Sequence, residues 1–99
     1  NYLKRIKMPK KQRLNVNKIG LKRIKVQEDG NVLRWFEGNG VIASLVKGDI
    51  QNEAEWRVSD EKGIFSSISW RGNRDLMLRK SDGEMKRQIL KMIKREIQK

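Results

Sequence analysis

The side chains that most enzymes use for proton transfer and nucleophilic attack are missing from this chain of 99 residues, which has neither histidine nor cysteine. Without imidazole the commonest general base and metal ligand is gone, and without a thiol no disulfide framework or thiolate metal site can form. Ser66, Ser67 and Ser69 have no base beside them in the sequence. The glycines at 30, 38, 40 and 48 do not make a phosphate loop, because no Lys-Ser or Lys-Thr follows them. Asp49, Glu53, Glu55, Asp60 and Glu61 are of the right type to hold a hard cation, as in a nuclease. Their spacing matches no specific metal motif, and they read as solvated loop residues that balance charge. The expectation is a protein that is not an enzyme and carries no cofactor or metal.

What the chain does have is cation. Lys and Arg number 24 against 12 Asp and Glu, a formal charge of +12. Residues 1–27 hold ten bases and no acid, residues 28–62 hold four bases and eight acids, and residues 63–99 hold ten bases and four acids. Like charge gathered in blocks repels itself, so the pattern is best understood as matched by a polyanion, and nucleic acid is the first candidate. The stretch "WRGNRD", residues 70–75, concentrates the question: it is either a turn or a contact. Gly72-Asn73 suits a turn, which leaves Arg71 and Arg74 free to reach a phosphate.

These cations must be positioned by local structure. Residues 1–13 read as a basic arm, with Lys10, Lys11 and Arg13 just past the helix-breaking Pro9. Residues 14–99 read as one α+β domain. Asp29-Gly30, Asn39-Gly40 and Gly48-Asp49 are turn dipeptides between runs of β-branched and aromatic residues, which predicts strands near 20–28, 32–37 and 41–47. Alternation in "AEWRVS" and "IFSSISWR" predicts a second hairpin, and "LMLRK" is either a short strand or a lead into a helix. Ser81 or Asp82 can cap that helix, Glu84 suits its first turn, and Met85, Ile89, Met92, Ile93 and Ile97 form one stripe. Arg87, Lys91, Lys94 and Arg95 project away from it. The predicted fold is an antiparallel sheet of about five strands, in two or more hairpins, with a C-terminal amphipathic helix packed on one face.

Such a sheet leaves its other face open, and strict alternation assigns that face. Taking Ile24, Val26, Leu33, Trp35, Ala54, Trp56, Val58, Ile64, Ile68 and Trp70 as inward places Arg23, Lys25, Arg34, Phe36, Arg57, Phe65 and Arg71 outward, with Lys22 beside them. Arginines interleaved with two rings suit single-stranded nucleic acid, because bases stack on the rings while cations hold phosphates. The arm and the helix edge would add a salt-sensitive phosphate grip. The alternative for Phe36 and Phe65 is a second small core or a homodimer interface.

Several antiparallel strands followed by a long helix, over about residues 14–99, are similar in layout to the Whirly, purine-rich-element-binding and coactivator-type single-strand binders. No diagnostic motif is shared and no site residue is carried over. A three-stranded sheet with a helix also resembles the integrase-type arm-binding domains that read the duplex major groove. The sequence therefore points to non-catalytic nucleic-acid binding, single strand ahead of duplex, with a duplex DNA-binding regulatory protein as the alternative. An interaction module docking on an acidic protein partner, of phage or plasmid type, belongs to another class, and an RNA-anchored structural protein of ribosomal type is a third. No apolar run approaches the roughly 18 residues of a membrane span, so a soluble, intracellular or virus-encoded protein is expected.

Overall fold

Asn39 and Gly40 both take positive φ, 47° and 85°, which closes a two-residue hairpin between β2 (Val32–Gly38) and β3 (Val41–Lys47). The computed structural model describes residues 16–26 and 30–98. After a 3₁₀ turn at Val16–Lys18 come β1 (Lys22–Arg23), then β2 and β3, β4 (Glu53–Asp60), β5 (Ile68–Asn73), a short helix α1 (Arg74–Leu78) and the long helix α2 (Asp82–Ile97). The strands form one antiparallel sheet of five in sequence order, so the predicted α+β class and the closing helix are both present.

Register fixes what each face carries. Phe36, Ala43, Val58 and Ile68 lie opposite one another across four strands, and Leu45, Trp56 and Trp70 form the next row on the same face. This is the covered face. Phe36 and Trp56 meet with ring centroids 6.1 Å apart at 50°, a tilted contact worth about 0.5–1.5 kcal/mol beyond the area it buries. Met85, Ile89 and Ile93 of α2, Met77 of α1, Phe65 of the β4–β5 connection, and Ile19 and Leu21 complete the core. Each such side chain contributes roughly 1.5–3 kcal/mol by leaving water. Gly38 has a specific reason to be glycine: a Cβ there would stand 2.5 Å from the Ile19 carbonyl oxygen, so the incoming chain can cross β2 only over a residue with no side chain.

Both helices start on sequence-encoded caps. The Ser81 hydroxyl accepts from the Glu84 N–H and the Glu84 carboxylate accepts from the Ser81 N–H, a capping box at the head of α2. Asn73, expected in a turn with Gly72, instead ends β5, and its side chain accepts from the Leu76 N–H to cap α1. "LMLRK" is thus not a strand: its Leu76–Leu78 end α1 and Arg79 caps it, ahead of α2.

Two of the predicted faces are reversed. The register of β2 shifts between Val32 and Arg34, which puts Arg34 opposite the buried Leu45 and Phe36 opposite the buried Ala43. Trp35 falls on the open face instead. A β-bulge changes which residues share a face without changing the alternating pattern of residue types. Arg23 lies opposite Phe36, so it too belongs to the covered side at the sheet edge, and Ile24 is 40% exposed. Phe65 precedes β5, in a connection where strand parity does not apply, and it is buried.

Among the described residues, Trp56 Nε1 and Gln88 Oε1 are buried without a hydrogen-bond partner. The first comes with a ring that must be inside, whereas the second is replaceable. Gln88→Met keeps the shape and removes the unpaired oxygen, so it should raise unfolding stability in urea by about 1 kcal/mol. Phe36→Ala should lower stability by about 3–5 kcal/mol in the same measurement, since it empties the middle of the core.

Candidate functional site

The open face was expected to be basic, and its rows show why it is not. Trp35, Ser44, Arg57 and Ser69 form one row, Lys22, Glu37, Ile42 and Ser59 a second, and Val46, Glu55 and Arg71 a third. Arg57 and Arg71 do lie there, as alternation required, and Lys22 joins them at the edge. Two acids, Glu37 and Glu55, offset most of their charge. The Arg57 guanidinium is 3.5 Å from the Glu55 carboxylate, which also accepts from the Ser69 hydroxyl, and Trp35 Nε1 donates to Glu37 at 2.6 Å. The Ser69 hydrogen bond holds the Glu55 carboxyl below its usual range; partial burial opposes this, and the charges of Arg57 and Arg71 add to it. Acids and bases thus neutralise one another across this face.

The other expected contacts are dispersed. Lys10, Lys11 and Arg13 lie outside the described residues. Lys25 is exposed at the β1 edge. Arg23 is 3.3 Å from Asp82 at the head of α2. Arg34 is half-buried, with its guanidinium donating to the Leu33 carbonyl at 2.7 Å. Phe36 and Phe65 are core residues and offer no ring to a base. Arg74 is half-buried at the start of α1, its N–H donating to the Asn52 carbonyl at 2.7 Å.

A different constellation appears on the helix side. A groove of about 780 Å³ runs along α2 and is lined by Trp70, Lys80, Arg87, Lys91, Lys94 and Arg95. Glu84 also lines it, but the N-cap holds its carboxylate: the Ser81 backbone N–H, then the Ser81 side chain, keep this carboxyl below its ordinary value. Five cations therefore share the groove with one ionised acid, whose carboxylate is held at the N-cap and feels the charges of Lys80 and Arg87.

Trp70 is the ring in this groove. It sits directly opposite Trp56 on the same face, yet Trp56 is 1% exposed and Trp70 is 43% exposed. The difference is position: Trp56 is on an inner strand and Trp70 on the edge strand. Gly72, two residues on, provides the seat. A Cβ at Gly72 would stand 3.2 Å from Trp70 Cη2 and 3.1 Å from Met77 Sδ, so the indole leans over the glycine beside the Met77 thioether.

Sequence reasoning placed the helix cations outside the core stripe but left Trp70 in the core, because its parity is that of Trp56. Its place on the edge strand, four residues before a short helix, was the available signal. Among the described residues no three acids come together in a way that could hold a metal ion, and no helix is long and apolar enough to cross a membrane.

The Glu55 cluster gives a pH dependence of stability. Its folded-state pKa is lowered, so the stabilisation is complete above the ordinary value of 4.5 and is lost as pH falls through the lowered folded value. Glu55→Gln should flatten the acid limb of a stability–pH curve below about pH 4.5 and leave the neutral-pH slope unchanged, as followed by urea unfolding between pH 3 and 7.

The chain matches no family model, no curated protein and no solved structure.

Proposed function

We propose that this protein binds nucleic acid without catalysing a reaction, and that the groove along α2 grips the phosphate backbone. One observation carries the reading: five cations and an exposed tryptophan share a groove whose single acid is committed to a helix cap. Phosphates need mobile, solvated cations close together, and a ring within the same groove suits a partner that also has flat, stackable parts. This supports single strand ahead of duplex, the order that the sequence suggested. It moves the interface from the sheet face, whose rings and cations are otherwise engaged, to the helix.

Val16 lines the groove, and the basic residues Lys10, Lys11 and Arg13 precede it in the sequence. The open sheet face, where Glu37 and Glu55 lie among Lys22, Arg57 and Arg71, offers the polymer no comparable run of cations.

Five phosphate contacts on a single strand predict a log–log salt slope of roughly −3.5. Replacing Lys91, Lys94 and Arg95 together by Ala should weaken binding and reduce the slope by about 2, with the helix content of the free protein unchanged in circular dichroism. Absence of binding to single strand, duplex and structured RNA at low salt would refute the reading. Binding of an acidic protein in its place would assign the groove to the interaction-module alternative.

A further inference from the structure

We infer that Trp70 is a platform for one unpaired base and that the strand leaves it along α2 over Arg87, Lys91 and Arg95; this rests on the nucleic-acid reading above. The platform is the first ground. Trp70 is the one aromatic residue among the exposed large apolar side chains described, and Gly72 and Met77 bound it on one side. A ring already seated against the backbone loses little freedom when a base covers its remaining surface. The other exposed apolar side chains, such as Leu76 and Ile50, have no flat surface for a base.

The cation row is the second ground. Arg87, Lys91 and Arg95 are four residues apart, which on an α-helix is a step of about 6 Å along a nearly straight line. An unpaired strand can be drawn out straight along such a row. A duplex strand advances only about 3.4 Å along its axis per nucleotide and winds away from a straight line, so it would leave the row after a short contact. From Glu84 to Arg95 is eleven residues, about 16 Å of helix, room for roughly four nucleotides at the small end of single-strand site sizes.

Glu84 sets the direction. It lines the same groove as Trp70 from the first turn of α2, and its charge is unfavourable for a phosphate there. A base is neutral and can occupy that end, while phosphates begin at Arg87, where the acid is behind them. Trp35, the half-buried ring on the open face, lacks this arrangement because its indole N–H is tied to Glu37.

The test uses an eight-nucleotide oligothymidylate and a hairpin duplex, with the full chain, across a salt series. The single strand should bind more tightly than the duplex. Trp70→Ala should weaken single-strand binding between about 5- and 100-fold with the salt slope unchanged, while Trp70→Phe stays within about threefold of the parent. Thermal melting of both variants shows whether the fold is kept, and the Phe variant retains a ring if the Ala variant does not fold. Lys91→Ala should do the opposite, lowering the slope by about 0.7. A Trp70→Ala variant that is folded and binds with parental affinity and slope would overturn the stacking platform and leave the nucleic-acid reading standing. Tighter binding of the hairpin than of the oligothymidylate would also overturn it. No binding of either probe at any salt would remove the parent reading, and this inference with it.

Discussion

One helix has to cover one face of a five-stranded sheet, and most features of the molecule follow from how far that cover reaches. Met85, Ile89 and Ile93 supply the apolar stripe, and they meet a sheet face built from Phe36, Val41, Ala43, Leu45, Ala54, Trp56 and Val58. Inner strands β3 and β4 are buried at alternate positions along this face, whereas β1 and β5 at the edges are mostly exposed. A single helix is about 10–12 Å across with its side chains, and strands lie nearly 5 Å apart, so about two or three strands can lie beneath it. The strands at the edge need other cover. The Ile19–Leu21 segment supplies it near β1 and β2, crossing at Gly38, and α1 supplies part of it beside β5 through Met77. Trp70 lies where that cover ends.

That incomplete cover separates the two sides of the molecule chemically. Away from the helix the sheet carries Arg57, Arg71 and Lys22 among Glu37, Glu55 and serines, so opposite charges meet at short range and little field extends into solvent. On the helix side the acids at the start of α2, Asp82 and Glu84, are used by Arg23 and the N-cap. The same acids favour the helix N-terminus through its dipole, and Lys94 and Arg95 favour its C-terminus. Residues that stabilise the helix at its ends thus also leave a run of cations along its outer half. Folding and a polyanion-attracting surface are served by one distribution of charge.

The fold was largely legible in the sequence because its signals are local. Asn39-Gly40 states a hairpin, Ser81-x-x-Glu84 states a helix start, and alternation in Ala54–Val58 states a strand buried on one face. The candidate site was much less legible, for a reason that can be given residue by residue. Assigning Phe36 to a face required counting parity through β2, and the register shift after Val32 reverses the count. Phe65 looked like the start of a strand but lies in a connection, where a large ring is free to turn back into the core. Trp70 has correct parity and the wrong burial, because burial on an edge strand depends on what lies beyond it and alternation carries no such information. Arg57 and Arg71 were correctly assigned to the open face; Glu55 pairs with Arg57 from two residues away on the same strand, while its place opposite Arg71 and its hydrogen bond from Ser69 show only in the register.

These three failures have a common form. Alternation tells which residues share a side within one uninterrupted strand, and it fails at a register shift (Phe36), outside a strand (Phe65) and at a sheet edge (Trp70). The helix cations escaped the difficulty because a helix carries its own periodicity: Arg87, Lys91 and Arg95 fall on one line whatever the sheet does. A site formed along one helix can therefore be read from sequence more safely than one spread over four strands. What the helix cannot reveal is the ring it faces. Trp70 enters the groove through β5 and is seated by Gly72 of the same strand, so the joint between strand and helix had to be seen before the cations acquired a partner.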